Sequence, residues 1–222
     1  MRTIPSSPLL VLTSLMLSLS GSLHQAAAAE PVLIDDFSNG ISAGWEPKIF
    51  KGETSYRVGA RDNVPCLEAA ANNSASGMFY KIDFDPEEYP VLSWSWQVDN
   101  ILSKGDARTK AGDDYAARVY VVFPALFFWN TRALNYIWAN RLGKGSAIKS
   151  SYTGNAVMIA VDSGNKNLGT WQHYRMNIRE DFIKHFGYQP PRAGAVAIMT
   201  DTDNTGESAS ACFGPIRLIP AE

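Results

Sequence analysis

Hydrophobic and polar residues alternate at every second position along much of this chain. The clearest case is the segment 92–98, in which apolar side chains alternate with serine and glutamine. Successive side chains of a β-strand point to opposite faces, so this pattern predicts a strand with one buried face. Comparable segments, separated by turn-rich stretches, occupy residues 32–37, 64–69, 78–84, 115–123, 156–161, 171–178, 195–200 and 210–219.

Helical patterns are scarce. Residues 179–186 carry an apolar stripe at helical spacing between Asn177, a suitable N-cap, and Gly187, a suitable stop. A second, weaker helical pattern covers residues 131–140. Residues 127–151 are rich in aromatic residues, Asn and Gly, and we interpret them as a long excursion between strands. Many short strands with one or two short helices predict an all-β protein built as a two-sheet β-sandwich.

The N-terminal segment has the pattern of a secretory signal peptide. Arg2 precedes an apolar run, and Ala27-Ala28-Ala29 precedes Glu30. We therefore expect residues 1–29 to be a signal peptide and residues 30–222 to form a single β-sandwich domain. The mature protein is expected to be exported, to the periplasm or outside the cell.

Charge and hydropathy exclude two classes of partner. The formal net charge is −2 at pH 7 and no long run of either sign occurs, so nothing indicates binding to nucleic acid. After the N-terminal segment the longest apolar run, residues 119–129, contains a proline and is well short of the roughly 20 residues that span a membrane. No transmembrane segment is predicted in the mature chain.

Two cysteines, Cys66 and Cys212, remain after removal of a signal peptide. In an oxidising compartment they can form one disulfide. The alternative is that both are small buried residues in strands that do not meet. Sequence alone leaves both interpretations open, and no CxxC or HxxxH spacing indicates zinc.

A first candidate for chemistry lies on the strand near residue 118. Strand parity places Asp114, Arg118 and Tyr120 on one face, opposite an apolar face. A carboxylate, a guanidinium and a phenol in a row are suited to hydrogen-bonding a polyhydroxylated ligand. The alternative is a solvated sheet face that carries an Asp–Arg pair.

A second candidate is the segment 201–205, which follows an apolar strand. Asp201, Asp203 and Asn204 offer oxygen ligands of the kind that calcium takes. An EF-hand is excluded, because the twelfth position counted from Asp201 is Cys212 where a bidentate Glu is needed. The alternative is a turn whose Asx side chains bond to the backbone.

A third candidate combines a strand with loop aromatics. In the segment 171–178, His173 and Arg175 share the polar face. No GxSxG elbow or cysteine nucleophile accompanies His173, so we interpret it as a polar contact instead of a general base. Among the loop aromatics, which include Trp129, Trp138 is the preferred platform for stacking on a sugar.

Several of these motifs resemble a known family. The stretches LSWSW at 92–96, GDDYAAR at 112–118, NYIW at 135–138 and TDTDNT at 200–205 are similar to the exported bacterial family called domain of unknown function 3047, DUF3047. More distantly, the opening IDDF at 34–37 resembles jelly-roll carbohydrate-binding modules of the galactose-binding-like type. That second resemblance implies a jelly-roll sandwich and, by analogy of fold, sugar binding.

These observations lead to a saccharide-binding or cell-envelope glycan-binding sandwich without turnover, with no cofactor other than calcium expected. Two alternatives stay open. One is a polysaccharide hydrolase or lyase that uses Asp114 with Asp201 or Asp203 as acid and base. The other is a structural envelope protein that binds a protein partner.

Overall fold

The computed structural model describes residue 1 and residues 29–221. Most of the expected signal peptide, residues 2–28, therefore lies outside the described residues. Within the described chain no helix is both long enough and apolar enough to cross a membrane. The strands are β1 Val32–Asp35, β2 Trp45–Lys51, β3 Ser55–Arg61, β4 Val64–Asn72, β5 Ala75–Phe84, β6 Val91–Val98, β7 Arg118–Phe123, β8 Arg132–Ala139, β9 Ala147–Lys149, β10 Ala156–Ser163, β11 Gln172–Asn177, β12 Ala193–Asp201 and β13 Ser208–Ile219, and the α-helix α1 is Ile178–Phe186.

The strands form two sheets. Sheet A has the order β11-β6-β13-β4-β3, with β1 paired to the end of β13, and sheet B has the order β2-β5-β12-β7-β8-β10-β9. All neighbouring pairs are antiparallel except β8 and β10, which are parallel. The inner faces of the sheets pack against each other, so the expected two-sheet β-sandwich is confirmed.

The core is rich in aromatic residues that meet across the two sheets. Trp94 and Trp96 of β6 are at most 2% exposed, as their parity predicted. Ring centroids of Trp94 and Tyr136 lie 5.2 Å apart, and those of Trp96 and Trp138 lie 6.4 Å apart. These pairs connect β6 of sheet A to β8 of sheet B and fix the two layers on each other.

The helix expected at residues 179–186 is confirmed as α1. The side chain of Asn177 accepts a hydrogen bond from the Glu180 backbone N–H at 3.0 Å, which caps the helix start. Gly187 adopts a left-handed conformation, φ 83°, and ends the helix. Phe182 is fully buried, and its ring centroid lies 4.6 Å from that of Phe123 in sheet B.

Two sequence predictions between residues 127 and 151 are wrong. Residues 131–140 form strand β8 instead of a helix, and the expected excursion contains both β8 and β9. The alternation of Leu134, Tyr136 and Trp138 toward the core outweighs the local helical spacing, because all three side chains are fully buried in the strand. Strands β2 and β3 were missed because most of their side chains are exposed or only partly buried at sheet edges.

Cys66 and Cys212 form a disulfide with a Cα–Cα distance of 5.7 Å. They lie on the neighbouring antiparallel strands β4 and β13, and both are fully buried. The structure therefore decides between the two interpretations that the sequence left open. The bond connects residues that are 146 positions apart in the chain.

Candidate functional site

The GDDYAAR and TDTDNT motifs come together at one end of sheet B. Strand β12 ends at Asp201 and pairs with β7, which begins at Arg118. Met199 lies opposite Arg118 in this register, so the residues just before β7 meet the residues just after β12. Four aspartates and one arginine are thereby collected, and we call this group the aspartate cluster: Asp113, Asp114, Arg118, Asp201 and Asp203.

The centre of the aspartate cluster is a buried ion pair. Arg118 is 6% exposed and Asp201 is 2% exposed. The Arg118 Nε donates to Asp201 Oδ1 at 2.8 Å, and Nη2 donates to Asp201 Oδ2 and, at 2.6 Å, to the backbone oxygen of Asp113. The Tyr115 backbone N–H also donates to Asp201 Oδ1 at 3.1 Å. The guanidinium is therefore engaged internally and does not face a ligand.

Asp114 is also internal, with 0% of its surface exposed. Its carboxylate accepts the backbone N–H of Asn204 at 3.0 Å and of Thr205 at 2.6 Å. The Asn204 side-chain amide donates a further bond to it at 3.0 Å. Asp114 therefore holds the turn after β12 in place. The expectation that Asp114 and Arg118 line an open sheet face is corrected by this burial.

Two of the residues expected to bind calcium, Asp201 and Asp203, belong to the aspartate cluster. Oxygens of Asp114, Asp201 and Asp203 lie within 4.8 Å of one another, which is close enough to share a cation. However, both oxygens of Asp114 and of Asp201 already accept N–H donors, and the Arg118 guanidinium supplies the positive charge. These contacts would compete with a cation, and the calcium site expected at Asp201, Asp203 and Asn204 stays a prediction.

Asp203 is the member of the aspartate cluster that is nearest to solvent. Its side chain is 18% exposed, and its Oδ2 lies 3.8 Å from Lys51 Nζ. Desolvation raises the pKa of the Asp203 carboxyl, and the negative charge of Asp114 raises it further. The Asn204 side-chain oxygen accepts the Tyr152 hydroxyl at 2.7 Å, which closes the outer rim of the cluster.

Trp138 does not lie in a loop, and its expected role as a platform is corrected. It belongs to β8, is fully buried, and packs against Trp96 between the sheets. Its indole N–H donates to the Gly164 backbone oxygen at 2.9 Å. No face of this ring is presented to a ligand.

The six expected ligand-binding residues do not form one site. Asp114, Arg118, Tyr120 and Trp138 belong to sheet B or its entrance, whereas His173 and Arg175 are exposed on β11 of sheet A. The two groups lie in different layers of the sandwich, with the core between their outward faces. The parity expected for His173 and Arg175 holds, because Tyr174 between them packs on Trp94 in the core.

Open surface near Tyr120 is provided by a cleft on the outer face of sheet B. The cleft has a volume of about 440 Å³. Gly194 and Ala195 form part of its floor; a Cβ on Gly194 would lie 2.8 Å from Pro124, so a larger residue would fill this part. We call it the sheet B cleft, and its lining residues are Glu46, Pro47, Lys48, Phe79, Lys81, Val122, Pro124, Gly194 and Ala195.

Tyr120 lies beside this cleft. Register places Phe79, Ala197 and Tyr120 in one row across β5, β12 and β7, and the Phe79 and Tyr120 rings stack with centroids 6.5 Å apart. Tyr120 is partly exposed, and burial raises the pKa of its hydroxyl. Its neighbour in the row, Asn135, has a buried Oδ1 without a hydrogen-bond partner among the described residues.

The loop that joins β7 to β8 exposes four large apolar side chains in succession. Leu126 is 94% exposed, Phe127 52%, Phe128 81% and Trp129 59%. The rings of Phe127 and Trp129 are parallel within 12°, with centroids 5.0 Å apart. We call residues 124–131 the aromatic loop. Its first residue, Pro124, also lines the sheet B cleft, so the aromatic loop begins at the edge of the cleft.

Sequence reasoning missed most of this surface. Trp129 was recognised as a loop aromatic, but Trp138 was preferred as the platform. The run Phe127-Phe128-Trp129 directly after Pro124 was the available signal, because three consecutive aromatic side chains cannot all turn toward one core. Phe79 and Val122 carried no such signal, since only strand register places them together.

A family model described as "Protein of unknown function (DUF3047)" matches residues 43–217. A search of curated proteins finds no match to the chain. Among solved structures, the chain is similar to the family 11 carbohydrate-binding module from Clostridium thermocellum in complex with a β-1,3-1,4-mixed-linked tetrasaccharide. The two share 12% identity with a TM-score of 0.43, over 86% of this chain and 96% of that one.

Two further structures are similar at the same level. The xyloglucanase domain of NopAA, a type three effector from Sinorhizobium fredii in complex with cellobiose, shares 10% identity with a TM-score of 0.47, over 80% of this chain and 93% of that one. The xylan-binding module CBM15 shares 13% identity with a TM-score of 0.40, over 87% of this chain and 97% of that one. Similarity at this level does not identify a ligand for this chain.

Proposed function

This chain belongs to the DUF3047 family of proteins of unknown function, and from that premise we propose that it is an exported, non-catalytic glycan-binding β-sandwich. The observation that carries the proposal is the sheet B cleft together with the aromatic loop that begins at its edge. It combines exposed aromatic rings with charged groups around an open depression. Saccharides require both kinds of contact in one place.

The aromatic part of this surface suits the apolar face of a sugar ring. C–H groups on one face of a pyranose pack against an aromatic ring, and Trp129 and Phe128 are the most exposed aromatic side chains of the loop. A soluble protein that exposes a contiguous apolar patch usually uses it for binding. Phe79 extends the aromatic surface into the cleft.

The polar part of the surface suits sugar hydroxyls. Lys48, Lys81 and Glu46 stand around the cleft and offer charged donors and acceptors. Lys81 Nζ lies 2.7 Å from Glu46 Oε2, and both side chains are more than half exposed, so they are free to exchange this contact for a ligand hydroxyl. A cleft of about 440 Å³ has the size of typical small-ligand pockets.

We propose that the protein does not cleave its ligand, because the carboxylates of Asp114 and Asp201 are buried and already bonded. General acid–base cleavage of a glycoside needs two carboxyl groups that reach the scissile bond. Asp114 and Asp201 are 0% and 2% exposed and are engaged with backbone N–H groups and Arg118. Export is proposed from the N-terminal sequence pattern and is supported by the buried disulfide, since disulfides persist in oxidising compartments.

The proposal is tested by isothermal titration calorimetry of the protein against soluble mixed-linked β-glucan, xyloglucan, xylan and muropeptides. We expect saturable binding to at least one of these glycans. Trp129→Ala should weaken that binding about tenfold, equivalent to about 1.4 kcal/mol. The thermal midpoint should be nearly unchanged, because the Trp129 side chain is 59% exposed and stacks on other rings of the loop.

Tyr188→Ala is the control for loss of an exposed ring: Tyr188 is 48% exposed, packs on Phe182 of α1 and does not line the sheet B cleft. It should leave glycan affinity unchanged. Equal loss in both variants, or no binding to any glycan, would reject the proposal and favour a protein partner. The bound glycan should be recovered intact after prolonged incubation; shortened products would establish an enzyme instead.

A further inference from the structure

A second groove lies on the outer face of sheet A, in the other layer of the sandwich from the sheet B cleft. It has a volume of about 480 Å³. Cationic and hydroxyl side chains of β11, β6 and β13 line its polar part. We call it the sheet A groove, and its lining residues are Val64, Ser93, Trp94, Ser95, His173, Tyr174, Arg175, Pro215 and Arg217.

Strand register places two arginines on either side of a serine. Arg175 of β11 and Arg217 of β13 both lie opposite Ser93 of β6. Adjacent strands are about 4.8 Å apart, so the two arginines start about 10 Å apart on one face. His173 lies opposite Ser95 in the next row. The two guanidinium groups can therefore reach a single group bound above Ser93.

These two arginines differ from every other arginine in the described residues. The side chain of each of the others makes a hydrogen bond or an ion pair, whereas the side chains of Arg175 and Arg217 make neither within residues 29–221. His173 likewise has no side-chain hydrogen bond or ion pair there. The engaged arginines are Arg57, Arg61, Arg108, Arg118, Arg132, Arg141, Arg179 and Arg192.

One carboxylate, Asp36, lies near Arg217. The Ser38 hydrogen bonds and, less strongly, the charge of Arg217 lower the pKa of this carboxyl. Asp36 accepts the Ser38 hydroxyl at 2.6 Å and the Ser38 backbone N–H at 3.0 Å. Among residues 29–221 it forms no ion pair with Arg217, although the charge of Arg217 acts on it. Arg175 and Arg217 with this one carboxylate still leave a net positive charge at a concave surface, and such a charge attracts an anion.

We propose that the sheet A groove binds an oxyanion, either a carboxylate or a phosphate group carried by a larger ligand, between Arg175 and Arg217. The planar guanidinium presents paired N–H donors that match two oxygens of either group. Ser93 supplies a hydroxyl at the floor, and His173 supplies a ring N–H at the side. The groove is independent of the glycan surface on sheet B.

The test is calorimetric titration of the protein, at constant ionic strength, with trigalacturonate, inorganic phosphate and neutral maltotriose. We expect at least one of the two anions to bind and maltotriose not to bind. The anion that binds more tightly identifies the carboxylate or the phosphate as the source. Binding should weaken as sodium chloride is added, because exposed charges are screened.

Arg175→Gln/Arg217→Gln should weaken anion binding about tenfold or more, since two charge-assisted bonds are lost. Arg108→Gln/Arg192→Gln removes the same net charge from exposed ion pairs elsewhere and should leave the affinity unchanged. Circular dichroism verifies folding, and the single variant Arg175→Gln, at an exposed position, replaces the double variant if the latter does not fold.

Failure of both anions to bind, or equal loss in both double variants, would overturn the proposal. So would a wild-type affinity in Arg175→Gln/Arg217→Gln. Trp129→Ala should not alter anion binding. This last measurement separates the sheet A groove from the proposed glycan surface, so that each can fail without the other.

Discussion

Replacing Arg118 by methionine tests whether the aspartate cluster maintains the fold. Methionine keeps much of the volume of the side chain but removes its charge and its N–H donors. Asp201, 2% exposed, would then retain only the Tyr115 backbone N–H as a donor. We expect a large loss of stability, because an uncompensated carboxylate would remain buried beside two others.

The size of the expected stability loss follows from leaving the Asp201 carboxylate buried without its cation. Removing one member of a buried ion pair typically costs about 3–5 kcal/mol. Domains of this size are stable by roughly 5–15 kcal/mol, so the variant would lose a substantial part of its total stability. At roughly 2–4 °C per kcal/mol, the thermal midpoint should fall by about 6–20 °C.

Urea unfolding followed by tryptophan fluorescence measures this loss, because Trp94 and Trp96 are buried in the core. Arg192→Met is the control: Arg192 forms an exposed ion pair with Asp83, so no measurable change is expected. A loss below about 1 kcal/mol for Arg118→Met would match a solvated surface pair. That result would refute the internal role and return Arg118 to the ligand-facing role that the sequence suggested.

Two further outcomes are expected from the same unfolding measurement. Replacing Cys66 and Cys212 by serine should cost about 2–5 kcal/mol, and reduced wild-type protein should match the variant; equal stability of the oxidised and reduced forms would contradict this. Because the folded pKa of Asp203 is raised, its ionisation disfavours the folded state. That penalty is absent below the ordinary pKa of 3.8, grows between 3.8 and the folded pKa, and is complete above the folded pKa. Asp203→Asn should therefore raise the thermal midpoint at pH 7, and the difference should vanish below pH 3.8. A variant that is less stable than the wild type at pH 7 would contradict this prediction and show that loss of the Lys51 contact dominates.

The fold could be predicted largely because alternation on the inner strands is strong. In β6 and β7 the core-facing positions carry Trp, Val and Phe, and the structure buries them as parity required. Prediction failed for strands in which apolar and polar residues do not alternate clearly. Strand β2 is mostly exposed, and β8 carries apolar residues on both faces because Ile137 packs in a second cluster on the outer side.

The candidate site was harder to predict, because strand parity indicates the face on which a side chain lies but not whether that side chain is exposed. Arg118 and Tyr120 do share a face, but Asp201, the carboxylate that binds Arg118, ends strand β12 and is 83 residues away in sequence. No local pattern reports that Asp201 ends the neighbouring strand. The sheet B cleft is formed in the same way, by register between β5, β12 and β7.

The position of β13 has a consequence for the order of folding. It is the last strand of the described chain, yet it lies in the middle of sheet A and pairs with β1, β4 and β6. A chain that is made from its N-terminus onward therefore cannot complete sheet A until residues 208–219 are available. Contacts of such long sequence separation slow folding.

The cysteine that closes the disulfide, Cys212, lies on the same late strand. Until β13 arrives, Cys66 remains a free thiol on a strand without its central partner, and the apolar residues of β4 and β6 remain uncovered. Before β13 pairs in sheet A, we therefore expect the chain to be prone to aggregation and to carry an unpaired cysteine. We expect its yield to depend on how soon oxidation and strand insertion follow synthesis.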